Sequence, residues 1–209
     1  MAYGFLDIAS TASVKAAQQA NGSLEYWSKF SGNRSFDRFT ANEAAFIASR
    51  DSFYMATVSQ SGWPYVQHRG GPPGFLRMLD ERTLGFADFR GNRQYITLGN
   101  VTADDRAALF LMDYPARRRL KILAHVEVKA LAGDAELASK LTVPGYKATV
   151  ERAMLFHLAA FDWNCSQHIT PRFTETEIAQ ATAPLRDRLS ALESENAGLR
   201  ARLAGQARD

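Results

Sequence analysis

The sequence predicts a mainly β protein with added helices: a small closed or half-closed antiparallel barrel of about six strands, followed by a separate C-terminal coiled-coil helix. Three observations carry this. Between residues 53 and 128, runs of strand length alternate with turns rich in Gly, Pro and Asp. Within that stretch Leu120, Ile122, Ala124, Val126 and Val128 alternate with Lys121, Leu123, His125, Glu127 and Lys129, the period-2 pattern of a half-buried strand. Near the end, Leu185, Leu189, Leu192, Asn196, Leu199 and Leu203 recur at spacings of 4, 3, 4, 3 and 4 residues, the seam of a heptad repeat.

In chain order, residues 1–50 read as a helical and linking segment. A helix is expected over residues 10–19, stopped by Asn21-Gly22-Ser23, with a further turn at Ser31-Gly32-Asn33. Thr40 and Glu43 have capping-box spacing, so a short helix should follow with Ala44, Phe46 and Ile47 on its apolar side.

Residues 51–173 hold the barrel. Strands are expected over 53–59 and 63–69 about a Ser61-Gly62 turn, and over 75–79 and 83–88 about Asp80-Glu81-Arg82. Gly70-Gly71-Pro72-Pro73-Gly74 cannot lie inside a regular ladder and reads as a loop or corner. A helix is expected at 93–98. The continuous apolar run 107–112 suits a strand buried on both faces, and the alternating strand from Leu120 follows it. Residues 134–141 and, more strongly, 149–161 read as helices, and 163–173 as irregular chain.

Residues 174–209 form the tail. Thr182 is placed to cap its helix, and Pro184 to occupy the first turn, where a missing N–H costs little. Asn196 falls at an a position, where it pairs best with itself across a parallel two-stranded coil. The plainer alternative is an amphipathic helix packed on its own domain.

The bulk numbers bound the function. The chain has 209 residues, 46% hydrophobic and 22% charged, with a net charge of +3. That charge is too small for the basic stripe of a nucleic-acid binder; the one dense cluster is Arg117-Arg118-Arg119 with Lys121. No window approaches eighteen apolar residues, so no membrane span is expected, and residues 1–10 lack the features of a secretory signal. Cys165 is alone, which excludes an internal disulfide framework; together these point to a cytoplasmic protein. His68, His125, His157 and His168 lack metal-ligand spacing. Cys165 and His168 have no supporting nucleophile motif, and Gly70-Gly71 has neither Walker nor Rossmann spacing.

Gly91-Asn92-Arg93-Gln94 enters the helix expected at 93–98. A helix N-terminus offers unpaired N–H groups and a positive dipole end, Asn92 can cap, and Arg93 presents a planar fork to phosphate oxygens. Alternatively, it is an ordinary strand-to-helix turn with a surface arginine.

The runs Tyr54-Met55-Ala56-Thr57-Val58, Gly62-Trp63-Pro64-Tyr65-Val66-Gln67-His68-Arg69, Leu84 to Gln94, Arg106-Ala107-Ala108-Leu109-Phe110 and Leu120-Lys121-Ile122 follow one another in a distinctive order. In that order and spacing the chain resembles the pyridoxamine 5'-phosphate oxidase-like superfamily of FMN-binding proteins. The Met112-Asp113-Tyr114-Pro115 and Trp163-Asn164-Cys165 segments look like an uncharacterised branch of it.

The resemblance implies a six-stranded antiparallel split β-barrel that forms a homodimer, with FMN in a groove at the dimer interface. It implies phosphate contacts from the strand carrying Gln67, His68 and Arg69, and from Asn92, Arg93 and Gln94. Which of the first three meets the phosphate stays open, because the Gly70 to Gly74 corner is inserted relative to the oxidase pattern. Ala87 and Asp88 would line the phosphate and ribityl groove, while Arg119 or Lys121 would approach the ring or phosphate. Those two share one face of their strand, and a solvated barrel exterior is their plainer role. Trp163 could pack on the flavin of the partner subunit, with Gln167 or His168 bonding a flavin carbonyl or a substrate; equally, Trp163 plugs the core and His168 is a surface residue.

The oxidases that act on pyridoxamine phosphate carry a C-terminal Arg-x-His pair, and the corresponding segment here, Trp163 to Arg172, is a different constellation. The expected function is therefore an FMN-dependent oxidoreductase of unassigned small redox substrate rather than a vitamin B6 oxidase. The alternatives are a non-catalytic flavin store or sensor, a split barrel binding a deazaflavin or haem, and a coiled-coil interaction protein with a passive barrel.

Overall fold

A computed structural model describes residues 4–30, 37–163 and 166–206. Its helices and strands are, in order, α1 (Phe5–Ala9), α2 (Ala12–Ala20), α3 (Leu24–Lys29), α4 (Ala41–Ala48), β1 (Ser52–Val58), β2 (Pro64–Gly70), β3 (Arg77–Asp80), β4 (Thr83–Phe89), α5 (Ile96–Ala103), β5 (Arg106–Asp113), β6 (Arg118–Lys129), α6 (Ala135–Leu141), β7 (Val150–Trp163) and α7 (Glu175–Gln206). The chain divides into two compact units, Met1–His168 and Ile169–Asp209. The expected Ser31-Gly32-Asn33 turn and the Asn164-Cys165 pair lie outside the described residues.

The first unit is mainly β with helices, a split barrel built on one open antiparallel sheet in the order β2-β1-β5-β6-β7-β4-β3. Its inner face is lined with aromatic rings. Phe53 on β1 stacks on Phe75 at 5.8 Å and meets Phe86 of β4 edge-on at 5.6 Å, although β5, β6 and β7 separate their strands. Phe86 stacks on Phe156 of β7 at 5.9 Å. Those contacts show that the sheet curls until its two flanks face each other. Leu120, Ile122, Ala124 and Val126 point into this core as the alternation predicts, whereas Val128 is exposed. On β5 only Ala107, Leu109 and Leu111 are fully buried, so that strand is half-buried and not enclosed on both faces.

Seven strands are present, one more than expected, and the extra one is the segment read as a helix at 149–161. Its run Met154-Leu155-Phe156 is apolar on consecutive residues because both faces of β7 are covered. Met154 and Phe156 face the barrel core, while Ala153 and Leu155 join Ala87 beneath Leu137 and Leu141 of α6. Two-sided burial erases the period-2 signal, so such a strand reads like a buried helix.

At the N-terminal side, α4 carries the expected capping box: Glu43 accepts from the Thr40 backbone N–H at 2.9 Å, and Phe46 and Ile47 are buried. The second unit is one helix of 32 residues, and it begins earlier than expected. Thr174 and Glu177, not Thr182, make its cap, with the Thr174 N–H donating to Glu177 at 2.8 Å and the Glu177 N–H to the Thr174 hydroxyl at 3.2 Å. Thr182 instead donates to the Ile178 carbonyl at 2.8 Å, and Pro184 lies inside the helix, two turns beyond its first turn.

Candidate functional site

The curling of the sheet brings the end of β2 against the end of β4, and a cleft of about 180 Å³ opens there. On β2 the side chains alternate, so Tyr65, Gln67 and Arg69 face the cleft, while Val66 and His68 point outward. From β4 comes Asp88, 6% exposed. One Nη of Arg69 donates to Asp88 at 3.1 Å, and Arg152, directly across the ladder on β7, lies 3.6 Å from the other carboxylate oxygen. The Nε of Arg69 is buried with no hydrogen-bond partner.

Beyond Asp88 the β4–β7 register slips: Asp88 pairs with Arg152 but Phe89 pairs with Val150, leaving Glu151 as the extra residue of a bulge. The bulge turns Glu151 into the cleft, where it accepts from Arg90 at 3.0 Å, the Tyr95 hydroxyl at 3.1 Å and Arg152 at 2.6 Å. Burial pushes the Asp88 carboxyl up, outweighing the attraction of Arg69 and Arg152. Glu151 goes the other way. Burial opposes its charge, but the bonds from Arg90, Tyr95 and Arg152 outweigh that and hold it below the usual carboxylate range.

The loop from Gly91 to Tyr95 forms the rim. Asn92 accepts from the backbone N–H of Gln94 at 3.1 Å, an Asx turn. Arg93 and Tyr95 both take left-handed backbone conformations, φ 63° and 53°, rare for residues with side chains. That double reversal starts α5 at Ile96, later than the sequence suggests, with no side-chain cap; Ile96, Thr97 and Leu98 of its first turn line the cleft. Two hydrogen bonds hold α5 in place. Thr97 donates to Gln67 at 2.8 Å, and Asn100 donates to the buried Thr57 hydroxyl at 3.0 Å. Arg93 itself makes no hydrogen bond or ion pair with the described residues.

Six of the residues singled out from sequence therefore line one cleft: Gln67, Arg69, Asp88, Asn92, Arg93 and Gln94. The others lie elsewhere. His68 packs edge-on against Tyr54 at 5.7 Å on the outer face. Ala87 points away from Asp88, as strand alternation requires, into the cluster under α6. Lys121 pairs with Asp162 at 2.8 Å and sits 4.6 Å above the Phe5 ring, and the Arg119 guanidinium lies 5.9 Å from the Phe110 ring. Both are on the outer face of β6. Trp163 is committed to α4: its indole N–H donates to Glu43 at 2.7 Å, and its ring meets Phe46 edge-on at 4.8 Å. Gln167 and His168 are exposed, and neither lines the cleft.

The cleft also holds Tyr65, Tyr95, Thr97 and Glu151, with Arg152 beside Asp88, none of which the sequence marks as a site residue. The period of β2 could have found Tyr65, which shares a face with Gln67 and Arg69. Glu151 and Arg152 carry no such signal, because a strand covered on both faces reads like a buried helix.

Residues 39–162, which contain the cleft and all of the sheet but the last residue of β7, match the family model described as pyridoxamine 5'-phosphate oxidase. The chain belongs to that family. Among solved structures it is similar to HupZ of Group A Streptococcus, at 12% identity and TM-score 0.46, covering 65% of this chain and 100% of that one. It is likewise similar to an FMN-binding protein from Syntrophomonas wolfei (14% identity, TM-score 0.45, covering 70% of this chain and 97% of that one). A third is the General Stress Protein 26 from Bacillus anthracis, at 11% identity and TM-score 0.44, covering 62% and 92% respectively. No curated protein sequence matches this family member.

Proposed function

We propose that the cleft holds the phosphate end of FMN and that the protein is an FMN-dependent oxidoreductase, working as a homodimer in the cytoplasm on a small redox substrate. One observation carries this reading: the unpaired Arg93 guanidinium and the uncapped start of α5 converge on one cleft, with Arg69 in its wall. Both are donors without an acceptor, and a phosphate dianion supplies acceptors for both. Local charge favours the same ligand. Arg69, Arg90, Arg93 and Arg152 outnumber Asp88 and Glu151, and burial opposes ionisation of Asp88.

Size supports the dimer. Small-molecule sites usually enclose roughly 300–1,000 Å³, so a cleft of about 180 Å³ accommodates the phosphate and part of the ribityl chain. The ring then needs further walls. A second copy of the chain packed beside the cleft would provide them.

Bound FMN would supply the redox chemistry, taking a hydride from a nicotinamide or another reduced donor and passing the electrons to an acceptor. The chain's own residues do the binding. Arg93 and Arg69 hold the phosphate, Gln67 fixes Thr97 and the first turn of α5, and Asn92 shapes the rim through its Asx turn.

The test is a visible spectrum of the purified protein, before and after FMN is added and the excess removed, followed by NADH or NADPH. Retained flavin bands that bleach with a reduced nicotinamide are expected. Retained bands that no reductant bleaches would favour a flavin store, and a protein that retains no FMN would sink the proposal.

A further inference from the structure

We infer that α7 is a self-recognition element, which pairs with α7 of a second copy as a parallel, in-register, two-stranded coiled coil and selects that copy by charge. The helix places Ile178, Leu185, Leu192 and Leu199 at successive d positions, and Thr182, Leu189, Asn196 and Leu203 at a positions. Its leucines are open to a partner: Leu185 is 71% exposed, Leu189 57% and Leu203 65%. A surface groove lies along this side, lined by Leu192, Glu193, Asn196 and Arg200, where a partner's side chains would seat.

Charges flanking the seam choose the partner and its direction. In a parallel coil each g residue faces the e residue five positions further along the other helix. Arg188 then meets Glu193, and Glu195 meets Arg200, each pair occurring twice by symmetry. Every charged g–e' pair is therefore attractive. Slipping one helix by a heptad sets Arg188 against Arg200 and Glu195 against Glu193, and moves Asn196 opposite a leucine. An antiparallel pair overlapping the whole leucine seam sets Arg186 against Arg200 and Arg188 against Arg202. It also buries Asn196 against a leucine, since a faces d in that geometry, leaving its amide without a partner. Only the parallel, in-register pair lets Asn196 bond its own counterpart and satisfies the flanking charges together.

This inference stands apart from flavin binding, because no residue of the cleft belongs to α7. Its test uses the full chain carrying Cys165→Ser, with Thr182→Cys placed at an a position and Ser194→Cys, in a separate protein, on the outer face. Mild oxidation with diamide is expected to link most of the Thr182→Cys chains into covalent dimers on a non-reducing gel, and few of the Ser194→Cys chains. Adding Glu193→Arg with Glu195→Arg, or separately Arg188→Glu with Arg200→Glu, makes every flanking pair repulsive, and each variant alone should lose at least tenfold in cross-linking rate. Mixing the two variants makes every pair attractive again and should restore it. No Thr182 cross-link, as expected for a helix packed on its own barrel, an antiparallel pair or a different partner protein, would overturn the inference. A cross-link indifferent to charge reversal would overturn it equally.

Discussion

Arg69 and Asp88 touch at 3.1 Å although β1, β5, β6 and β7 lie between their strands in the sheet order. This ion pair joins the two flanks of an open sheet through side chains where no ladder joins them. It also sits in the wall of the cleft, so the place where the two flanks meet is part of the site.

The first prediction concerns that carboxylate. Burial raises the folded-state pKa of Asp88 above its ordinary value of 3.8. Ionised Asp88 therefore opposes folding: the cost is absent below 3.8 and grows as pH rises through the folded pKa. In urea melts, Asp88→Asn should gain stability relative to wild type as pH is raised across that window. A constant difference would show that the burial effect is absent. The same substitution removes a negative charge beside the phosphate position, so FMN should bind tighter, by on the order of tenfold.

Asn100 links α5 to β1 through the buried Thr57 hydroxyl. Asn100→Ala leaves that hydroxyl without its donor, which costs about 1–3 kcal/mol. Because α5 opens onto the cleft, FMN affinity measured by fluorescence quenching should fall as well. Destabilisation with unchanged affinity would show that the start of α5 is not part of the binding site.

Glu43 provides a control remote from the cleft. Burial opposes its charge, yet bonds from Thr40, Trp163 and Asn42 outweigh that and lower its pKa below 4.5. Its stabilising contribution is thus full above 4.5 and is lost as pH falls through the folded value. The advantage of wild type over Glu43→Gln should shrink in acid, as followed by thermal melts, and FMN affinity should stay unchanged. A large loss of affinity would return Trp163 and its neighbours to the flavin site.

How much of this was legible depends on what each residue's surroundings leave in the sequence. The alternation of Leu120 to Val126 and the Thr40–Glu43 box are local signals, and the structure follows both. The cleft loop was legible because Gly91-Asn92-Arg93-Gln94 is contiguous. Arg152 was not, because its place beside Asp88 depends on pairing between strands more than sixty residues apart and on a bulge at Glu151. Period hid β7 altogether, since α6 covers its outer face. The start of α7 shows a competition between two caps: Thr174 with Glu177 makes a complete box, and Thr182 has no glutamate three residues on.

Arg93 decides the central claim. Titrating FMN into wild type and Arg93→Ala at fixed salt, and following flavin fluorescence, measures what the unpaired guanidinium contributes. A lost charge-assisted bond is worth about 1.5–3 kcal/mol, so the dissociation constant should rise roughly ten- to hundredfold, with the melting temperature of the apoprotein unchanged. Equal affinity in the two proteins would contradict the assignment of this cleft to the FMN phosphate.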